Sequence, residues 1–148
     1  MNRDERGSAL VELTWLGVLL LIPMLWIVLT VFEVQKGAFG VSGAARAAGR
    51  AYALAPTDAI GQARAEHAAE RALADQGLPG ARIVVTVTCT PYSNNCHQGT
   101  SVITVRVATH VDLPLLPEVL GGQAPSFALD AEHTVPIGHY QEVDSADP

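Results

Sequence analysis

From Leu13 to Phe32 the chain reads "LTWLGVLLLIPMLWIVLTVF", twenty consecutive residues without a charge. As a helix rising about 1.5 Å per residue this run reaches roughly 30 Å, the thickness of a bilayer's hydrocarbon core. The segment therefore predicts a single membrane-spanning helix, with the lipid bilayer as its first partner. Pro23 removes one backbone hydrogen bond in mid-span, which membrane helices tolerate because neighbouring groups resatisfy the freed carbonyl. The rival reading is a cleavable secretory signal, for which "KGAFGVSGAA" offers small residues at a cut site. Against it, the apolar run exceeds the roughly 7 to 15 residues such signals use, and Arg3 and Arg6 in the leader are offset by Asp4 and Glu5. Charge alone does not orient the span, because Lys36, Arg46 and Arg50 follow it while the leader is nearly neutral.

The rest of a 148-residue chain suffices for one small domain and not for two. Charged residues make up only 16%, so part of the chain meets lipid or protein rather than water. A formal net charge of -6 and the lack of any basic run argue against a phosphate-backbone partner, and no nucleic acid is expected.

After the span, Gly37, Gly40, Gly43, Ala44, Ala47 and Ala48 recur at helical spacing. They form a smooth seam for close packing of another helix, or else simply continue the membrane helix with Arg46 and Arg50 at the headgroups. Pro56 ends this helix. Thr57 and Asp58 are good capping residues for a second helix over Ala59 to Gln76, stopped by Gly77, with an apolar stripe at Ala65, Ala68, Ala69, Ala72 and Leu73. That stripe calls for a sheet or helix to cover it.

The sheet follows. "ARIVVTVTC" and "SVITVRVATHVDL" alternate with period two and are rich in β-branched residues, so they predict two strands of an antiparallel hairpin. Ile83, Val85, Val87 and Cys89 share one face, as do Ile103, Val105, Val107, Val111 and Leu113. A third strand, "FALDAEHTVPI", sets Phe127, Leu129, Ala131 and Val135 against Asp130 and Glu132. The predicted class is α+β: a long N-terminal transmembrane helix, a second amphipathic helix, then a small antiparallel sheet of about three strands. The apolar loop from Leu113 to Pro125 either folds over the end of the sheet or serves as a docking surface. An acidic, disordered tail is expected over 141–148.

Cys89 and Cys96 flank the turn-rich "TPYSNN", short enough to bring two strand ends together, so a disulfide is favoured over two unlinked thiols. Such a bridge places the domain outside the cytoplasm. Zinc is a poorer reading, since Cys89, Cys96 and His97 lack close ligand spacing. The five histidines show no HExxH spacing, and no nucleophile elbow or phosphate-cradling loop is present, so neither an enzyme nor a cofactor or metal is expected.

The front of the chain, "RDERGSALVE", resembles the processing site of type IV prepilins. In that family a short charged leader ends in glycine, a membrane peptidase cuts after it, and the fifth mature residue is glutamate. Here the leader is "MNRDERG", the cut falls between Gly7 and Ser8, and Glu12 is fifth; Ser8 stands where many pilins carry phenylalanine. Together with Phe32-Glu33 and "AARAAGRAYA", the first 55 or so residues resemble the TadE-like family, minor pilins or pseudopilins of tight-adherence, Flp-type pilus systems. The resemblance implies a leader over 1–7, a transmembrane and juxtamembrane helix over 8–55 and an extracytoplasmic α+β domain over 56–140. It also implies a single-pass inner-membrane protein with a cytoplasmic N terminus that meets a prepilin peptidase, other pilin-like subunits and the Tad assembly machinery, and enters a surface pilus. The alternative is an unprocessed single-pass envelope protein whose outer domain is an interaction module.

Glu12 can also be read on physical grounds. A carboxylate inside lipid costs several kcal/mol unless it is protonated, snorkels or finds a cation. It either sits at the interface, one residue before the uncharged run, or neutralises the free amine that a cut before Ser8 would create on a neighbouring subunit and so sets axial register.

Overall fold

The computed structural model of the chain describes residues 6–112 and 126–138. In order these form α1 (Arg6–Ala53), α2 (Asp58–Asp75), β1 (Ile83–Thr90), β2 (Val102–Asp112) and β3 (Ser126–Pro136). The expected α+β arrangement is present, with one antiparallel sheet in the order β1-β2-β3. The expectations for the loop from Leu113 to Pro125 and for the tail over 141–148 fall outside the described residues.

α1 runs unbroken for 48 residues, straight through Pro23, but its two halves live in different surroundings. In the first half no residue of the most apolar stretch is buried, and large side chains such as Leu13 (70% exposed) and Leu19 (66%) stand free. In the second half Val41, Ala44, Ala45, Ala48 and Tyr52 are fully covered. The reason is side-chain size. A Cβ on Gly37 would come within 2.6 Å of Leu129 Cδ1 and 2.8 Å of Val111 Cγ2, and one on Gly49 within 3.1 Å of His133 Cδ2. The small residues therefore let the sheet lie directly on the helix backbone. The packing seam read from the sequence exists, and what fills it is this chain's own sheet and α2. Gly43, turned away from that face, looks into open space.

α2 starts where the capping chemistry predicted. The Thr57 side chain accepts a hydrogen bond from the Ile60 N–H at 3.3 Å. At the other end Gly77 takes φ +76°, and the N–H groups of Leu78 and Gly77 donate to the carbonyls of Leu73 (3.0 Å) and Ala74 (2.9 Å). This is the Schellman arrangement that a glycine just past a helix end permits. Gly61, Ala65, Ala69 and Leu73 form its buried stripe against α1.

Period-two alternation decides the faces of the sheet. Val85 pairs with Val107, Val87 with Val105 and Cys89 with Ile103, all on the side facing the helices. β3 continues the layer, with Val107 opposite Ala131 and Ile103 opposite Val135. Thr109 is the polar member of this face, and its hydroxyl donates to the Arg82 carbonyl at 2.8 Å, so its burial leaves no donor unmet. The outer face is polar: Arg106 reaches Asp130 at 3.0 Å and Glu132 at 3.9 Å. Phe127, expected on the apolar face, lies opposite Val111 at the end of the sheet and is half exposed.

Candidate functional site

Two regions of the molecule carry the residues singled out above, at opposite ends of α1. Gly7 and Ser8 lie in its first turn. Glu12 follows one turn later, exposed, at the head of the bare apolar half. Forty residues of helix, roughly 60 Å, separate Glu12 from Tyr52 at the other end. The second region is built there, where α1, α2 and the disulfide loop meet.

Cys89 ends the inward face of β1, and Cys96 lies beyond the turn that follows it. The two are joined by a disulfide with their Cα atoms 5.3 Å apart, both sulfurs' residues being buried. The bridge holds His97 against the corner between the helices. His97 Nδ1 lies 2.6 Å from Asp58 Oδ1, and Nε2 lies 3.0 Å from the Tyr52 carbonyl oxygen. The second Asp58 oxygen accepts the Cys96 backbone N–H at 3.2 Å. The imidazole also stacks on the Tyr52 ring, with centroids 5.4 Å apart and planes 14° from parallel.

Tyr52 sits below the bare half of the helix, inside the domain, and its phenol is pushed up to about 12 from an ordinary value of 10. Burial is the main cause, followed by the negative charge of Asp58 and a hydrogen bond to it. Asp58 thus accepts from a loop amide and holds an imidazole, and its charge bears on the Tyr52 phenol.

The chemistry open to this cluster is narrow. Both ring nitrogens of His97 face acceptors, so neither is free to take a proton from a substrate. Among the described residues no group of three His, Cys, Asp or Glu side chains is placed to hold a metal ion. The geometry is that of a clamp, tying the disulfide loop to the helical corner across 39 residues of sequence.

Sequence reasoning missed the clamp. It marked Asp58 as a capping residue and weighed His97 only as a zinc ligand. Thr57 supplies the cap instead, which leaves the Asp58 carboxylate free to reach the loop. The adjacency of His97 to a bridging cysteine was the one available signal, and nothing in it points to position 58.

Compared with protein-family models, with curated proteins and with solved structures, the chain matches none.

Proposed function

We propose that this chain is a membrane-anchored, non-enzymatic, pilin-like subunit of a Tad/Flp-type pilus or a related secretion apparatus. The observation that carries the reading is α1 itself: one continuous helix whose most apolar stretch has no buried residue while its second half is the spine of a folded domain. Burying a Leu, Ile or Val side chain is worth about 1.5–3 kcal/mol, so a bare stretch of this length calls for lipid or for other apolar helices. Both environments suit a subunit that waits in a membrane and then packs into a helical bundle. The disulfide favours an extracytoplasmic domain and hence a cytoplasmic N terminus.

In this reading a prepilin peptidase cuts between Gly7 and Ser8, and Glu12 pairs with the new amine of a neighbouring subunit to set register. Intact mass or N-terminal sequencing of protein from its native membrane tests it. A start at Ser8 is expected. A start at Met1 would favour an unprocessed anchor with an interaction domain, and a start beyond Gly40 would sink both. Such a cut would also strip Gly37 and Gly40, which pack against the sheet and α2, from the domain. Glu12→Gln and Glu12→Ala should both impair assembly, scored as surface filaments, and leave membrane insertion intact. Normal filaments in both variants would remove the register role.

A further inference from the structure

Because α1 is unbroken, no loop lies between its uncharged run and the residues the domain packs on, and the height of the domain above a bilayer is set. The run ends at Phe32, and the sheet already touches the helix at Gly37, whose Cβ position lies 2.6 Å from Leu129 Cδ1. Five residues of helix rise roughly 7 Å, and the headgroup layer on each side of the hydrocarbon is roughly 5–7 Å deep. Higher up, the Cβ position of Gly49 lies 3.2 Å from Val135, so β3 runs alongside α1 and descends as its numbers fall. Phe127, two residues before Leu129, therefore reaches about 7 Å lower, level with Phe32. Its half-exposed ring stands where lipid would cover it.

A depression of about 330 Å³ opens at the same level, lined by Glu33 and Lys36 of α1, the turn 77–81 after α2, and His110 and Val111 of β2. The Glu33 carboxylate and the Lys36 ammonium stand 3.6 Å apart, and each side chain is a little over one-third exposed, so both can take an outside partner. Lys36 leans across to the turn, its Nζ 3.3 Å from the Cβ position of Gly77. The Gly80 N–H has no acceptor among the described residues. The lining thus holds one fixed positive and one fixed negative charge. Beside it α2 ends at Asp75, where the helix carbonyls carry negative partial charge. An anionic headgroup would meet these negative groups along with Lys36, whereas a zwitterion satisfies both signs.

We propose that this depression holds the phosphoethanolamine headgroup of a phospholipid in the membrane that α1 crosses, a site that rests on α1 being a membrane span, whatever apparatus the chain serves. The phosphate lies on Lys36, with His110 and the Gly80 N–H as further donors on the lining, and the ammonium lies on Glu33. Phosphocholine presents the same phosphate but a quaternary ammonium with no N–H to donate, so Glu33 tells the two apart through a charge-assisted hydrogen bond. A depression of this size is at the small end of ligand pockets and suits a headgroup, while the acyl chains lie beside the bare half of α1. The bound lipid, with Phe127, would hold the foot of the domain against the membrane.

The test uses the full chain. Reconstituted into liposomes of phosphatidylcholine, alone or mixed equally with phosphatidylethanolamine or phosphatidylglycerol, it should float with the lipid after an alkaline wash in every composition. A chain that washes off would overturn the span and the headgroup site together. Native mass spectrometry then follows in a neutral detergent containing the three lipids in equal amounts. Adducts with phosphatidylethanolamine should outnumber those with phosphatidylcholine by about five-fold, the selectivity that one hydrogen bond supplies. Glu33→Gln should bring the two to parity, and Lys36→Gln should lower both. Arg106→Gln, on the outer face of the sheet, should change neither. With flotation intact, parity in the unmodified chain, a preference for phosphatidylglycerol, a preference that survives Glu33→Gln, adducts that Lys36→Gln leaves unchanged, or a preference lost in Arg106→Gln would each overturn the headgroup site and leave the span standing.

Discussion

Asp58 occupies the first position of α2 and yet spends its side chain on another part of the molecule. One oxygen holds the His97 imidazole at 2.6 Å and the other the Cys96 amide at 3.2 Å. Hydrogen bonds to a charged acceptor are worth about 1.5–3 kcal/mol, more than a neutral helix cap. Asp58→Ala should therefore lower the unfolding free energy of the domain by about 2 kcal/mol in denaturant titrations, and Thr57→Ala by about 1 kcal/mol. Equal losses would mean that Asp58 acts only on its helix. Tyr52 carries the matching pH dependence. Its folded value, about 12, lies above the ordinary 10, so its contribution is fully present below pH 10 and is lost as the pH rises through 12. The whole contribution is about 2 to 3 kcal/mol. Thermal unfolding followed from pH 9 upward should show a decline that Tyr52→Phe flattens, and parallel curves for the two proteins would refute the linkage.

At the scale of elements, the crossing of α1 and α2 rests on a glycine. A Cβ at position 61 would meet three atoms of the Tyr52 ring at 3.0–3.2 Å, and that ring is held from its other side by His97. Alanine in a helix interior normally gains about 1 kcal/mol over glycine, but overpacking a fixed core costs about 1–3 kcal/mol. Packing should win, so Gly61→Ala is expected to destabilise by about 1 kcal/mol in chemical denaturation. A stabilised variant would show that the ring can shift. The strands were more legible. Alternation in β1 and β2 assigned Val85, Val87, Val105 and Val107 to the inner face without reference to any partner, because a period of two is a local property of the backbone. The small-residue run in α1 was legible as a seam, but its occupant was not, since a smooth helix face accepts a sheet, a helix or another chain equally well.

At the scale of the whole molecule, the bare half of α1 and the domain are mechanically joined but energetically separate. Among the described residues every buried core side chain lies at Val41 or later, and Glu33 and Lys36, 3.6 Å apart, mark the passage between the two regimes. A fragment beginning at Glu33 should consequently fold in water with a thermal midpoint within a few degrees of that of the full chain in detergent, measured by far-ultraviolet circular dichroism. An unfolded fragment would show that the apolar half supports the domain.

What the sequence by itself determined are the features with a short repeat: the uncharged span, the amphipathic α2 with its caps, and the alternating strands. Each follows from forces that act between residues a turn or a pleat apart. Only the tertiary structure decided that the sheet covers the glycine seam and that Asp58 and His97 meet across 39 residues. Those contacts depend on how whole elements lie on one another, and the spacing of residues along the chain carries no record of that.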